Sequence, residues 1–359
     1  MNVYAEELKK ISVEILTLAG VSEKDSTIVA DHLVEANLRG RDSHGVFIRL
    51  PRIIKGIEKG TIKPRCKVKV INETPAIALL DGGNGIGQVV SMKAIRLAIK
   101  KAKKLGIGVV GVRRSSHIGF LGYYTEYAAN ENMIGIVLTN TEPAMAPTGG
   151  AEPVLGTNPI SIGIPTRDLP IVIDMATSIV SRGKILKCLQ RGEKIKKGWA
   201  VDKEGEITED PKAALEGALL PIAGPKGYCL AFGFDVLTGA LVGASVGKDV
   251  KGTLRTEEVS TKGDLFIAIN PSLFCGFENF LERVEQLKKQ VKSCKKARGV
   301  SVILLPGEPE MLIREKRIAE GIPVDEDSWK NLMELKSALH ERSKRIGNMF
   351  NQKRKDFNT

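Results

Sequence analysis

Gly106-Ile107-Gly108-Val109-Val110-Gly111 matches GxGxxG, the glycine pattern of a dinucleotide-binding turn, and its setting in the chain decides the fold. Such a fingerprint follows a strand and opens a helix, so that a pyrophosphate meets free N–H groups at the helix start. Here the order is reversed. An amphipathic run over 89–105, with Met92, Ile95, Ile99 and Ala102 on one stripe and lysines opposite, comes first. The motif itself then carries the β-branched residues of a strand over 107–112. A dinucleotide, if one is used, is therefore held without a Rossmann turn.

Around this point short β-branched runs recur at 68–71, 77–80, 134–138, 160–164, 171–173 and 265–269, which predict a sheet. The runs at 160–164 and 171–173 flank Pro165-Thr166-Arg167-Asp168 with hairpin spacing, so the sheet is expected to be mixed. Both ends of the chain read as helix. Leu8, Ile11, Ile15 and Leu18 make one stripe, Ser22 with Asp25 marks the start of a second helix to about Leu38, and a third runs from about Phe47 past Pro51 to about Lys59. Leu332, Leu335, Leu339 and Ile346 form a stripe near the C-terminus. The expected fold class is α+β: a non-Rossmann mixed-sheet domain over 75–307, and a discontinuous all-α domain from 1–74 with 308–359. The cleft between such domains is the default place for a site.

Composition narrows the function classes. With 359 residues, 42% hydrophobic and 27% charged, the chain is globular rather than disordered or collagenous. Fifty-four Lys+Arg against 42 Asp+Glu give a net charge of +12, but the excess lies in lysine-rich helical faces and in 342–355. Aromatic residues are 5%, and no basic run is interleaved with them, which argues against nucleic acid as the partner. Five cysteines without a CxxC pair suggest neither a disulfide framework nor a zinc site, so no metal is expected and a reducing cytoplasm fits best. Residues 1–7 have no signal-like apolar core, and the apolar stretch 228–247 reads as a buried helix and its continuation rather than a membrane span.

Few side chains are suited to chemistry. Of the four histidines, His32 and His340 fall on helical patterns and read as structural or surface groups. His44 sits in the polar corner Arg41-Asp42-Ser43-His44-Gly45, and His117 follows Ser115-Ser116 where a strand leaves the sheet. Asp174 ends the run 171–173; a carboxylate there can hold a histidine or a ribose, or cap a helix. Asn140-Thr141-Glu142-Pro143 follows another strand, so several polar strand ends are expected at one edge. Gly82-Gly83-Asn84-Gly85-Ile86-Gly87-Gln88 precedes the amphipathic helix and is either an anion site or a tight turn with glycine at positive φ. Gly224-Pro225-Lys226-Gly227-Tyr228 places a lysine at the mouth of an apolar segment.

Ser43-His44-Gly45, Gly85-Ile86-Gly87-Gln88, Ser116-His117, Asn140-Thr141-Glu142-Pro143, Leu155-Gly156-Thr157-Asn158-Pro159, Asp174-Met175-Ala176-Thr177, Pro225-Lys226-Gly227-Tyr228 and Pro306-Gly307-Glu308, in that order, resemble the type 2 malate/L-lactate dehydrogenase family. The resemblance runs from about Leu8 to Pro323. It is closest to the family's archaeal sulfolactate/malate branch, especially over Thr261-Lys262-Gly263-Asp264-Leu265-Phe266-Ile267-Ala268-Ile269-Asn270-Pro271. It implies a nicotinamide-binding fold that is not Rossmann, NAD or NADP as cofactor with NADH the leading choice, a homodimer, and a site between helical and sheet domains. It further implies cofactor contacts from Asp174, Met175, Ala176, Thr177, Pro225, Lys226, Gly227, Pro306, Gly307 and Glu308, and makes His44 and His117 the two acid–base candidates.

Reduction of a 2-oxo acid puts negative charge on the carbonyl oxygen, so a protonated imidazole is expected to donate as hydride arrives. Ser43, and Asp174 as a second candidate, would hold its tautomer. The substrate carboxylate calls for a guanidinium, with Arg49 first and Arg52 second, and Asn140 and Thr141 as polar neighbours. Arg49 stands six residues after Ser43 where many members have five. Cys229 occupies a position that is usually glycine, where it either narrows the pocket or exposes a thiol. The expected activity is that of a cytoplasmic NAD(P)-dependent oxidoreductase interconverting a 2-oxo acid and an L-2-hydroxy acid, with malate, sulfolactate or lactate as product. Two alternatives remain open: reduction of a cyclic imine by the same site, and a non-catalytic basic protein that binds nucleic acid or acts as a scaffold.

Overall fold

The computed structural model describes residues 1–253 and 256–356, with side-chain surroundings up to residue 345. Strand β1 (Asn2–Val3) precedes helices α1 (Ala5–Leu18), α2 (Glu23–Leu38) and α3 (Val46–Lys59). Then come β2 (Lys69–Glu73), β3 (Ile77–Gly85), α4 (Gly87–Leu105), β4 (Ile107–Ser115), α5 (Gly122–Asn130), β5 (Ile134–Thr139), β6 (Ile160–Ile164) and β7 (Ile171–Met175). They are followed by α6 (Arg182–Gln190), β8 (Ala200–Val201), β9 (Ile207–Thr208), α7 (Pro211–Glu216), β10 (Ala218–Leu219) and α8 (Pro225–Asp235). Next are β11 (Gly263–Ile269), α9 (Ser272–Cys275), α10 (Phe277–Ser293), α11 (Glu308–Glu320), β12 (Ile322–Pro323) and α12 (Glu326–Asp356). The chain divides into two compact units, Met1–Arg65 with the chain from Glu310 onward, and Cys66–Pro309.

In the helical unit, α2 begins where Ser22 Oγ accepts the Asp25 N–H at 3.2 Å and donates to the Asp25 carboxylate at 2.8 Å, satisfying one of the orphan donors of the first turn. The periodic stripes become the core. Leu8, Ile15, Leu16, Val29, Leu33 and Leu50 are fully buried, each contributing about 1.5–3 kcal/mol of transfer free energy. Leu332 and Leu339 of α12 are also buried, while the Ile346 side chain lies outside the described residues. β1 pairs antiparallel with β12, Val3 opposite Ile322, which joins the two chain segments of this unit.

The second unit is built on a seven-stranded sheet in the order β2-β3-β4-β11-β5-β6-β7. It is mixed, as its sequence predicts: β3 and β4 are parallel and joined through α4, whereas the other neighbours are antiparallel. The glycines of the opening motif have structural duties here. Gly106 ends α4 with φ +86°, its N–H donating to Ala102 O at 2.8 Å. A Cβ on Gly108 would collide with Ala98 O of α4, and one on Gly111 would lie 2.7 Å from Val242 Cγ1. The pattern thus sets how closely helices lie on the sheet. A second, three-stranded sheet, β10-β8-β9, packs a separate core around Met145, Leu155, Ile185, Ala200 and Leu219.

One expectation is corrected. The stretch 228–247 is helical to Ala240, as α8 followed by a π-helical turn (Val236–Ala240), but most of its large apolar side chains are exposed, Val242 being the buried exception. Leu230, Phe232, Val236, Leu237 and Leu241 are exposed, and the inward face consists of Ala231, Asp235, Thr238 and Gly239. Small groups are required inward because this segment lies against β11, where a Cβ on Gly263 would overlap Thr238 O. Among the described residues no helix is long and apolar enough to cross a membrane.

Candidate active site

The sheet register gathers the polar strand ends. Gly85 pairs with Ser115, Arg113 with Gly263, Asp264 with Thr139, Leu138 with Ile160, and Ile160 with Met175. The exits of β4, β5 and β7 and the entry of β11 therefore share one edge, bringing together the segments around Ser116-His117, Asn140-Thr141, Asp174–Thr177 and Lys262–Asp264.

The loop that carries His117 is pinned at every residue. Ser116 Oγ accepts the Gly87 N–H at 2.8 Å, and Tyr124 donates its hydroxyl to Ile118 O at 2.5 Å. The Gly119 N–H donates to His117 Nδ1 at 3.0 Å. A nitrogen that accepts this bond carries no hydrogen, so the neutral ring holds its single proton on Nε2. Gly82–Gly85 form the irregular end of β3, whose register with β4 shifts between Asp81 and Gly85, rather than a separate tight turn; Gly83 and Asn84 have φ of +60°, and the Gly87 amide is committed to Ser116.

The three segments expected to touch a cofactor meet in space. A Cβ on Gly307 (φ +88°) would lie 2.9 Å from Val172 O, so the Pro306–Glu308 turn rests on β7, whose end is Asp174–Met175. Ile222 N–H donates to Thr177 O at 2.8 Å and Gly227 N–H to Ile222 O at 2.9 Å, which ties the start of α8 to the same strand end. Met175, Pro225 and Lys226 are exposed, so the start of α8 and its lysine are accessible. Those features fit a flat, anionic dinucleotide. Asp174 accepts the Gly122 N–H at 3.0 Å and so anchors the first turn of α5. Cys229 is exposed on α8, and of its two expected consequences the exposed thiol is realised.

Asn140 is wholly buried. Its amide donates to Asp235 Oδ1 and Ser245 O, both at 2.8 Å, and accepts the Gly263 N–H at 2.9 Å. A contact to substrate would require these bonds to be exchanged. Thr141 accepts the Thr157 N–H at 3.1 Å.

The other residues stand in the helical unit, on the 3₁₀ turn Asp42–His44 and the first turn of α3. A Cβ on Gly45 would collide with the Asn37 amide, whose oxygen accepts the Val46 N–H at 2.8 Å, which explains why a glycine follows Ser43-His44. Asp42 is clamped by Asn37 at 3.0 Å and by Arg317 at 2.7 Å. Ser43 Oγ lies 3.0 Å from His44 Nδ1, and Arg49 Nε donates to Ser43 O at 3.0 Å. Arg49 is buried, and burial with the nearby Arg52 brings its guanidinium down to about 9, still protonated at neutral pH. Removal from water, then the charges of Arg49 and Arg41 and His32, holds His44 well below its ordinary value. Without substrate the environment of His44 thus favours its neutral form.

A lowered histidine pKa has a stability consequence. Between the folded value and about 6.5 the unfolded chain binds the extra proton, so stability rises with pH across that window and is lost as pH falls through it. Urea midpoints measured from pH 5 to 7.5 are expected to rise with pH less steeply in His44→Asn than in the wild type. Parallel slopes would remove His44 from this account.

A family model described as malate/L-lactate dehydrogenase matches residues 3–333. The chain belongs to the malate/L-lactate dehydrogenase family. It is 48% identical over 334 residues to the L-sulfolactate dehydrogenase of Methanocaldococcus jannaschii, covering 93% of this chain and 96% of that protein. It is 44% identical to the malate/(S)-sulfolactate dehydrogenase of Methanothermus fervidus, covering 95% and 98%. The solved structure of the M. jannaschii sulfolactate dehydrogenase superposes with a TM-score of 0.90 at 47% identity, over 95% of this chain and 98% of that one. As a malate/L-lactate dehydrogenase the protein is an oxidoreductase that works with a nicotinamide cofactor.

Within this dehydrogenase, sequence reasoning overlooked a buried polar cluster at the centre of the sheet edge. Lys262 and Asp264 are 1% and 0% exposed with Nζ and Oδ1 2.5 Å apart, and Ser115 and Thr139 bond to the same carboxylate, each at 2.7 Å. The one available signal was a lysine and an aspartate flanking the first glycine of an otherwise apolar strand.

Proposed function

We propose that this dehydrogenase interconverts a small 2-oxo acid and its L-2-hydroxy acid, with oxaloacetate/malate and sulfopyruvate/sulfolactate as the leading pairs and NADH as the favoured reductant. The observation that carries this reading is the Ser43–His44–Arg49 group, which puts a proton carrier and a buried guanidinium on one turn. When bound, the nicotinamide supplies the hydride.

The protein's own part is acid–base and electrostatic. With Nδ1–H donating to Ser43 Oγ, His44 can carry or release a proton at Nε2 without losing its partner. His117 cannot do so: its only ring proton is on Nε2, and releasing it would leave an anion. His44 is therefore assigned proton transfer, and His117 a fixed hydrogen bond to substrate. Arg49 Nε is anchored to Ser43 O, leaving the other edge of its fork for a carboxylate. A bound acid dianion raises the His44 pKa from its depressed resting value, so substrate itself helps charge the ring. Arg49→Lys is expected to raise KM about 10- to 100-fold with a smaller change in kcat, because an ammonium makes one point contact where the fork makes two.

Preference for NADH rests on Glu308. Burial pushes its carboxyl up, but hydrogen bonds from Lys292 and the Leu305 N–H outweigh this and keep it ionised. Such a group accepts from a ribose diol and repels a 2′-phosphate. A homodimer is supported by Leu230, Phe232, Val236, Leu237 and Leu241, an exposed apolar run with no charge to select another partner. Leu237→Glu with Leu241→Glu is expected to halve the mass seen by sedimentation; an unchanged mass would exclude this face. Five cysteines outside any disulfide agree with a cytoplasmic setting.

The test is absorbance at the reduced-nicotinamide band with oxaloacetate, sulfopyruvate, pyruvate and a cyclic imine, each with NADH and NADPH. Turnover of the imine alone would overturn the proposal.

A further inference from the structure

The Lys262–Asp264 cluster takes no part in the chemistry above, yet it lies under the loop that does. We infer that this buried ion pair is a positioning device for the His117 imidazole, acting through Ser115; the inference rests on the role proposed for His117.

Asp264 receives Lys262 Nζ at 2.5 Å and the hydroxyls of Ser115 and Thr139, both at 2.7 Å, while Lys262 also donates to Ser115 Oγ at 3.0 Å. One carboxylate thereby fastens the ends of the three central strands β4, β11 and β5. Ser115 is the last residue of β4, two before His117, and its hydroxyl is both donor and acceptor in the cluster. The next three residues are pinned in turn, Ser116 to Gly87, His117 to Gly119, and Ile118 to Tyr124.

The backbone adds a second reason. Arg114, just before Ser115, has φ +56°, and its carbonyl approaches so closely that a Cβ on Gly82 would lie 2.7 Å from it. A non-glycine residue in this region is held there by its surroundings at a cost of about 1–3 kcal/mol. The Arg114 guanidinium donates to Asp81 Oδ2 at 3.2 Å, and the Ser115 bonds fix the residue that follows it. A buried ion pair adds little net stability over an apolar replacement of similar volume, so stability alone is a poor reason for this one. Fixing the exit of β4 is a sufficient reason.

The experiment uses the full-length protein in two variants. Lys262→Met with Asp264→Asn removes both charges and leaves an acceptor for Thr139, and Ser115→Ala disconnects the loop while keeping the pair intact. Both are expected to lower kcat about 10- to 100-fold, since a displacement on the order of 1 Å costs that much, with KM changed less than about threefold. Nitrogen-15 imidazole spectra report the His117 tautomer without any turnover, and the Nε2–H signature of the wild type is expected to blur in both variants. Wild-type kcat with an unchanged spectrum overturns the inference. So does a fallen kcat with an unchanged spectrum, because the pair would then act elsewhere. A blurred tautomer with wild-type kcat leaves the positioning intact and instead defeats the catalytic role given to His117.

Discussion

His44→Asn is expected to lower kcat for 2-oxo-acid reduction by about 10²–10⁴-fold, the range for loss of a general acid. In the wild type, reduction should weaken as pH rises through the His44 value, and oxidation of the hydroxy acid should weaken as pH falls through it. With substrate absent that value lies below 6.5, so the limb of kcat/KM for oxidation belongs on the acid side of neutrality. His44→Asn removes this limb. His117→Asn is expected to cost about 10²–10³-fold, as for a lost oxyanion donor, and to keep it. An enzyme that loses the limb with His117 and keeps it with His44 reverses the two assignments.

Gly87→Ala is the second large effect. The added Cβ would collide with His117 O and lie 2.5 Å from Ser116 O, and neither backbone carbonyl can swing aside as a side chain could. Either α4 moves away from the loop, breaking the Gly87–Ser116 bond, or the loop moves and takes His117 with it. Destabilisation of about 1–3 kcal/mol is expected, with kcat reduced in the folded enzyme. Thermal melting and single-turnover reduction check both parts; an alanine variant with wild-type melting and kcat would show that the helix start and the loop are not coupled.

Much of this was legible in the sequence. The reversed order around Gly106 excluded a Rossmann turn, and the structure gives Gly106, Gly108 and Gly111 their duties in capping and close packing. Short β-branched runs located all seven strands of the main sheet, because Val and Ile suit a pleated surface. The stretch 228–247 misled for a physical reason. An apolar face meant for another surface has the same composition as one meant for the core, and the inward face had to be small to fit Gly263. The Ser43–His44 contact could be guessed from adjacency, but Arg49 bracing Ser43 depends on α3 starting at Val46. The Lys262–Asp264 cluster was invisible because its partners, Ser115 and Thr139, come from strands far away in sequence.

That distance has a consequence for biosynthesis. β11 sits in the middle of the sheet, yet Asp264 follows Thr139 by 125 residues. At about 5–20 residues per second a ribosome needs roughly 6–25 s to cover that gap. Throughout it, β4 and β5 have no partner on the sides that β11 will fill, and bare strand edges invite pairing with other chains. The nascent protein is thus most exposed to mispairing midway through translation, and this is the interval in which a holding chaperone would matter most.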